Sequence, residues 1–369
     1  MQMKQSVNIL AIETSCDETA GSVISIQENV LTVRSNVISS QVALHAKWGG
    51  VVPNLAAREH TKNIIPVLTQ TLKDANMTKD DIDIIAVTQC PGLIPALLSG
   101  VSCAKSLSYA WQKPLLGIHH IEGHIYANWI DHSDTIIFPI LALVVSGGHT
   151  QLILMSEHCQ YEIVGETQDD AVGEAFDKVA RILGLGYPGG PIISERAQKF
   201  ADHNIPNDIA LPKPMLHSNN YHFSFSGIKT AVLYLVREYR KEHNLTDNAL
   251  LPSNFIDRVA HAFQTAVVNV LTAKTLRAAE EYNVSTILLA GGVSANTQLR
   301  ANFALHIKKS LPHVTFSTPQ LSYCVDNAAM IGVAAYYRYQ HMNENGKQAL
   351  TTNWKTIHAQ AHQSLNSSK

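Results

Sequence analysis

The chain has 369 residues, of which 46% are apolar and 16% charged, with a formal charge of −2. That length suffices for two domains with separate cores, and the composition excludes a disordered chain. The near-neutral charge argues against a strongly basic nucleic-acid binder, although a local basic face would not show in the total.

Residues 1–8 lack the apolar run of a secretory leader. The five cysteines are scattered, with no Cys-x-x-Cys pair, which predicts reduced thiols and a cytoplasmic setting. Residues 7–12 form a continuous apolar run, the pattern of a strand buried on both faces. The run ends in Glu13-Thr14-Ser15-Cys16-Asp17-Glu18-Thr19, and residues 20–26 resume a strand pattern. A turn so rich in carboxylates and hydroxyls is either a cradle for phosphate with a bridging cation or an ordinary hairpin turn. Residues 41–53 read as a polar loop with Gly49-Gly50, and 58–72 as a helix with a basic start in Arg58, His60 and Lys62. A strand at 82–88 leads through Cys90-Pro91-Gly92 into an apolar stretch over 92–111. Lys105 and several small polar residues make that stretch a buried helix rather than a membrane span.

A short strand at 114–118 then delivers Ile118-His119-His120-Ile121-Glu122-Gly123-His124. On a helix, His120 and His124 at i and i+4 point to one side, a common start for a divalent metal site. A chain with 18 histidines also produces such a pair by chance, so a third ligand must come from elsewhere.

The first strand and turn recur 131 residues later, Ile140 standing against Ile9. Over eleven ungapped positions five are identical (Ile, Leu, Ala, Ser and Thr), the carboxylates of the first copy giving way to Gly147-Gly148. Duplication into two similar halves is the simplest account. The glycines allow close backbone approach and N–H groups aimed at an anion. Together with the strand–turn–helix alternation, the repeat predicts an α/β layered protein.

Residues 173–183 have helical periodicity, with Glu174, Asp177 and Lys178 among the apolar positions, and 184–191 form a glycine- and proline-rich loop. Gly189 and Gly190 suit contact with a sugar or base, or merely a turn. Residues 202–220 read as a polar surface excursion. The segment 223–230 enters a helix whose Lys229 either meets phosphate or is solvated, and 255–281 is a long amphipathic helix. A buried strand at 285–290 runs through Gly291-Gly292 to a helix from about Thr297, a geometry suited to nucleotide phosphates because first-turn N–H groups are unpaired. The last strand spans 314–317, and Cys324 opens the final helix with Asp326 near its start, where it serves as an N-cap or as something more. Residues 341–369 are polar and predicted to be mobile.

The segments 12–19, 49–53, 120–124, 145–151, 173–178, 187–191, 223–230, 290–296 and 326–330, in this order, closely resemble the TsaD family. These are the tRNA threonylcarbamoyladenosine-forming enzymes once named O-sialoglycoprotein endopeptidases, and the resemblance covers roughly residues 7–340. It implies an α/β fold of the actin/hexokinase/Hsp70 (ASKHA) type with two duplicated lobes and a ligand cleft between them. The first lobe would take 1–125 plus about 327–369, with the C-terminal helix returning to it, and the second 126–326. The implied activity is transfer of threonylcarbamoyl from threonylcarbamoyl-AMP to N6 of the adenosine beside the tRNA anticodon. Position by position, His120, His124 and Asp326 match the metal ligands, the metal being Fe2+ or sometimes Zn2+. Val144, Val145, Ser146, Gly147, Gly148, Asp177, Gly190 and Asn296 match the adenylate-holding positions, and Ser15 and Glu18 fall in the loop facing the cleft. The implied company is tRNA, a shorter non-catalytic TsaB-like paralogue pairing with the first lobe, and a small TsaE-like P-loop ATPase, with no membrane. Family members usually read Gly-Pro-Gly where this chain has Cys90-Pro91-Gly92, and Gly in place of Pro95, departures that bear on one helix start in the first lobe.

Three other readings compete. A zinc protease would carry its glutamate directly after the first histidine of His-Glu-x-x-His. Here Glu122 lies two positions after His120, about 200° around a helix and facing away from the metal. A sugar kinase would want an acidic residue in the second glycine turn, where His149 stands. A non-catalytic scaffold would lack the ligand trio, which this chain retains.

Overall fold

The computed structural model describes residues 6–28, 30–132 and 135–365. The first five residues of the stretch read as leaderless, and the last four of the polar tail, lie outside these. The described residues divide into two compact units. The first comprises Met1–Ile136, Met155–Glu162 and Pro319–Lys369, the second Ile137–Leu154 and Ile163–Thr318.

The first unit opens with strands β1 (Ser6–Glu13), β2 (Glu18–Gln27) and β3 (Val30–Ser40). Helices α1 (Val42–His45) and α2 (Pro53–Asp74), strand β4 (Ile84–Cys90) and helix α3 (Ile94–Trp111) follow. Strand β5 (Leu115–His119) then leads into α4 (His120–Tyr126) and α5 (Trp129–His132). The sheet order is β3-β2-β1-β4-β5, with β1 antiparallel to β2 and parallel to β4. As the central strand, β1 buries Ile9, Leu10, Ala11 and Ile12 completely, which is why its sequence is an unbroken apolar run rather than an alternation.

The second unit contains β6 (Ile140–Val145), β7 (Thr150–Met155) as far as Leu154 and β8 (Tyr161–Glu166) from Ile163, then α6 (Val172–Ile182), α7 (Gly189–Ala201), α8 (Ser226–Glu242) and α9 (Ser253–Glu281). Strand β9 (Thr286–Ala290), α10 (Thr297–Ser310) and β10 (Thr315–Ser317) complete it. Its sheet runs β10-β9-β6-β7-β8, the connectivity of the first sheet over again. The two copies of the repeat occupy the equivalent central strands, Ile9 pairing with Ile84 and Ile140 with Thr286. The chain is thus an α/β protein with a duplicated five-stranded sheet. The core of this unit gathers Leu141, Leu143, Phe176, Phe223, Phe263 and Phe303 around its sheet and helices.

Helices α11 (Ala328–Gln340) and α12 (Glu344–Ala349) belong to the first unit. So do residues 126–132, 155–162 and 319–326, expected in the second lobe. Asp326 therefore shares a unit with the two histidines.

The described part of the tail is not loose, contrary to expectation. Leu350, Ile357 and Leu365 are buried, and the backbone N–H of Gln360 donates to Gln89 O at 2.9 Å. The side chain of Asn353 donates to Leu115 O at 2.9 Å. Three apolar anchors in a polar stretch are enough to dock it, and an average over composition hides them. The start of α3 accommodates Pro95 in its first turn, where a missing N–H costs nothing. Cys90 is buried beside Gln363. No described helix is long and apolar enough to cross a membrane.

Candidate metal centre

Strand β5 runs directly into α4 at His119, whose ring caps the helix. Its Nδ1 accepts from Ile121 N at 3.2 Å and its Nε2 donates to Gln363 O at 2.9 Å. Burial pushes the His119 pKa down to about 4, keeping the ring in the neutral form that the cap requires. His120 is then the first helical residue and His124 stands one turn on, with ring centroids 4.6 Å apart.

The third member arrives from the start of α11. There the N-cap is Asn327, which accepts from Met330 N at 3.0 Å, so Asp326 is not occupied as a cap. Its Oδ1 lies 3.1 Å from His124 Nε2 and 3.5 Å from His120 Nε2. Among the described residues, His120, His124 and Asp326 are the group whose ligand atoms converge, all within 4.8 Å of one another. Ligands at about 2.1 Å from a divalent ion stand roughly 3.0–3.5 Å apart, so the two edges from Asp326 to the histidines fit one.

Two further observations favour a cation. Both ring nitrogens of His124 are buried, Nδ1 without a hydrogen-bond partner and Nε2 with Asp326 Oδ1 beside it at 3.1 Å outside hydrogen-bond geometry, so the ring is open to a metal bond. Burial and the neighbouring His120 also hold its pKa below the usual value, leaving the neutral, ligating form. Carboxylates crowd the same place. Burial, then Asp326 and Asp17, push the Glu18 pKa up to about 9, and burial with Asp17 and Asp326 raises the Cys16 thiol. Burial opposes charge on His120, but Asp326 and Glu13 outweigh it and hold its pKa well above normal.

Glu13, at the end of β1, stands beside His120, a placement that motif spacing does not single out. Its Oε2 lies 3.0 Å from His120 Nδ1 and accepts from Thr88 Oγ1 at 2.6 Å, while Oε1 accepts from Ser15 N. This is the carboxylate–histidine arrangement that fixes tautomer and ring direction at metal sites. Of the turn residues expected at the ligand, Ser15 is buried with Oγ 3.2 Å from His120 Nδ1, and Glu18 accepts from Ser40 Oγ at 3.0 Å. Glu122 is turned away from the histidines and pairs with Arg338 at 2.8 Å.

The remaining expected residues lie in the second unit. Val144 and Val145 are fully buried in β6, so neither is exposed to a ligand. Ser146 N donates to His149 O at 2.9 Å, closing a tight turn whose tip, Gly147-Gly148, is exposed. The N-terminus of α6 abuts this turn, Gly173 N donating to Ser146 O at 3.2 Å. Asp177 Oδ1 accepts from Gly189 N at 2.7 Å, and burial raises its pKa. That bond fixes the Gly189-Gly190 start of α7. Asn296 caps α10 by accepting from Leu299 N at 2.9 Å, and its Nδ2 donates to Ser194 Oγ and Gln264 Oε1. Lys229, considered for phosphate, instead pairs with Asp170 at 2.9 Å.

Comparison with known proteins bears on the whole chain. The TsaD profile, described as tRNA N6-adenosine threonylcarbamoyltransferase, matches residues 32–333. The tRNA N6-adenosine threonylcarbamoyltransferase of Staphylococcus aureus (strain bovine RF122 / ET3-1) is 46% identical over 338 residues, 92% of this chain and 93% of its own. Among solved structures, HypF from T. kodakarensis aligns with a TM-score of 0.60 at 11% identity, over 94% of this chain and 50% of that one. Full-length HypF in a phosphate- and nucleotide-bound form aligns at 0.57 and 12%, over 92% and 56%. At such identities the likeness speaks to the fold alone, which is of the actin/hexokinase type.

Proposed function

The chain belongs to the TsaD family of tRNA N6-adenosine threonylcarbamoyltransferases, and from that membership we propose that it moves threonylcarbamoyl from threonylcarbamoyl-AMP onto tRNA. The acceptor is N6 of the adenosine adjacent to the anticodon, in tRNAs reading codons that begin with A. The observation that carries the metal-assisted form of this reading is the convergence of His120, His124 and Asp326.

In the proposed reaction the adenine amine attacks the carbamoyl carbon, the C–O bond to phosphate breaks, and AMP leaves as N6 loses a proton. The donor is already activated, so no covalent enzyme intermediate is required. A divalent ion held by His120, His124 and Asp326, Fe2+ or alternatively Zn2+, would supply Lewis-acid stabilisation of charge on the carbamoyl or phosphate oxygens. Glu13 holds His120 Nδ1 protonated and so presents Nε2 as the ligating atom. We assign adenylate binding to the second unit. Backbone N–H groups of Gly147 and Gly148 take the phosphate, Asp177 accepts from a ribose hydroxyl, and Gly190 and Asn296 complete the contacts. Support for Gly147 and Gly148 comes from their exposed tip and the open space around each.

Family membership also supports a cytoplasmic assembly with a TsaB-like paralogue and a TsaE-like ATPase, which fits a chain of near-neutral charge acting on tRNA in company. Reconstitution with those partners, threonylcarbamoyl-AMP and purified tRNA tests the activity directly. Modified adenosine detected by nucleoside mass analysis, lost in Asp326→Asn, is the expected result. Absence of transfer from the complete mixture would overturn the proposal. Unchanged AMP affinity in Asp177→Ala would remove the ribose role.

A further inference from the structure

Two metal ligands ride on α4 and the third immediately precedes the N-cap of α11, so ligand spacing depends on how these helices are held together. Helix α4 has seven residues, too short to be stable or to fix its own position. Two contacts fix it against α11. Gly123 permits close approach, since a Cβ there would stand 2.7 Å from Ile331 Cδ1 and 3.2 Å from Met330 Cγ. On the face away from the histidines, Arg338 Nε donates to Glu122 Oε1 at 3.3 Å, and Nη2 stands 2.8 Å from Oε2 as an ion pair without hydrogen-bond geometry. Tyr161 OH donates to the same Oε1 at 2.7 Å.

We propose that the Glu122–Arg338–Tyr161 cluster is a positioning device for the metal site, setting the register between the histidine helix and the aspartate that precedes α11. Glu122 is completely buried and the Arg338 side chain 17% exposed. Burying such a pair yields little net stability compared with apolar residues of the same volume. Two donors converging on one buried carboxylate oxygen, Arg338 Nε and Tyr161 OH, however, fix its direction, which apolar packing does not impose. Glu122 is therefore neither a protease base nor a mere stabiliser. This inference rests on the metal reading above and specifies what holds the ligands in place.

Cobalt binding to the purified full chain tests it, using Co2+ as the probe and reading both affinity and the d–d absorption band. Wild type and His120→Ala are compared first. If wild type shows no His120-dependent cobalt binding, the metal reading falls and this inference with it. Arg338→Lys keeps the charge but loses the planar guanidinium and its Nε donor, and Glu122→Gln loses the ion pair. The apolar variant Glu122→Leu/Arg338→Met/Tyr161→Phe removes the cluster while retaining bulk, and covers the case in which a single variant fails to fold. The expected result is cobalt affinity weakened by about tenfold or more with a shifted band. The thermal midpoint of the apolar variant, measured in chelator, should stay at or above that of wild type. Wild-type affinity and spectrum in folded variants would overturn the positioning role alone, as would wild-type cobalt binding by the apolar variant.

Discussion

Glu13 Oε2 lies 3.0 Å from His120 Nδ1, joining the end of the central strand to the first residue of the histidine helix. The carboxylate is completely buried and is itself held by Thr88. Removing its charge while keeping its shape, as in Glu13→Gln, should weaken metal affinity by about tenfold to a hundredfold. The change should show in a competition titration against a chelator, with the fold retained by circular dichroism. Equal metal affinity in the variant would leave Glu13 with a structural role only.

His124 is buried, with Nδ1 unpartnered and Nε2 3.1 Å from Asp326 Oδ1. A ligand that binds only the folded chain adds about 2.7 kcal/mol of stability at a hundredfold excess over its dissociation constant. Ferrous or zinc ions should therefore raise the thermal midpoint of wild type, and chelator should reverse the gain. In His124→Ala the midpoint should ignore the metal. A metal-dependent shift of the same size in both proteins would place the ion elsewhere.

Two glycines near the second repeat should respond in opposite ways. Gly291 has φ +85° and faces the carbonyl oxygen of Val145, so Gly291→Ala should lose about 1–3 kcal/mol in urea unfolding. Gly147 has open space around it, so Gly147→Ala should stay within about 0.5 kcal/mol of wild type. The Gly147 variant should nonetheless bind AMP more weakly in calorimetry. Undiminished AMP binding would argue against phosphate at that turn.

His158 stacks on Tyr337 with centroids 4.2 Å apart, and its Nδ1 lies 3.0 Å from Tyr126 OH. Burial, then His341, pushes its pKa down to about 4. A histidine depressed in this way takes up its proton more readily unfolded, where its pKa is about 6.5. Its contribution is therefore present above about pH 6.5 and lost as pH falls through the folded value near 4. Between pH 7.5 and 4.5, wild type should lose more stability than His158→Phe in paired urea melts. Parallel losses in the two proteins would exclude His158 as the titrating group.

What was legible in the sequence was local or repeated. The continuous apolar run of β1, its copy in β6, and the His120–His124 spacing follow from backbone periodicities of two and 3.6 residues, which neighbouring residues alone express. Strand β3 lacks such a signature because its positions are exposed or half-buried, apart from Ser35, and polar residues such as Arg34 and Asn36 stand among its apolar ones.

The tertiary structure decided the rest. Asn327 takes the cap that Asp326 was equally suited to, and β1 brings Glu13 to His120 across 107 positions. Arg338 meets Glu122 across 216 positions, and three apolar residues dock a tail whose composition suggested mobility. Apart from the Asn327 cap, which bonds a residue three positions on, none of these pairings has a local signature, because each is fixed by how buried faces stack rather than by the conformational preference of any residue involved. The sequence alone determined which side chains could ligate a metal. Only packing determined which carboxylates would converge on them and which would be turned away.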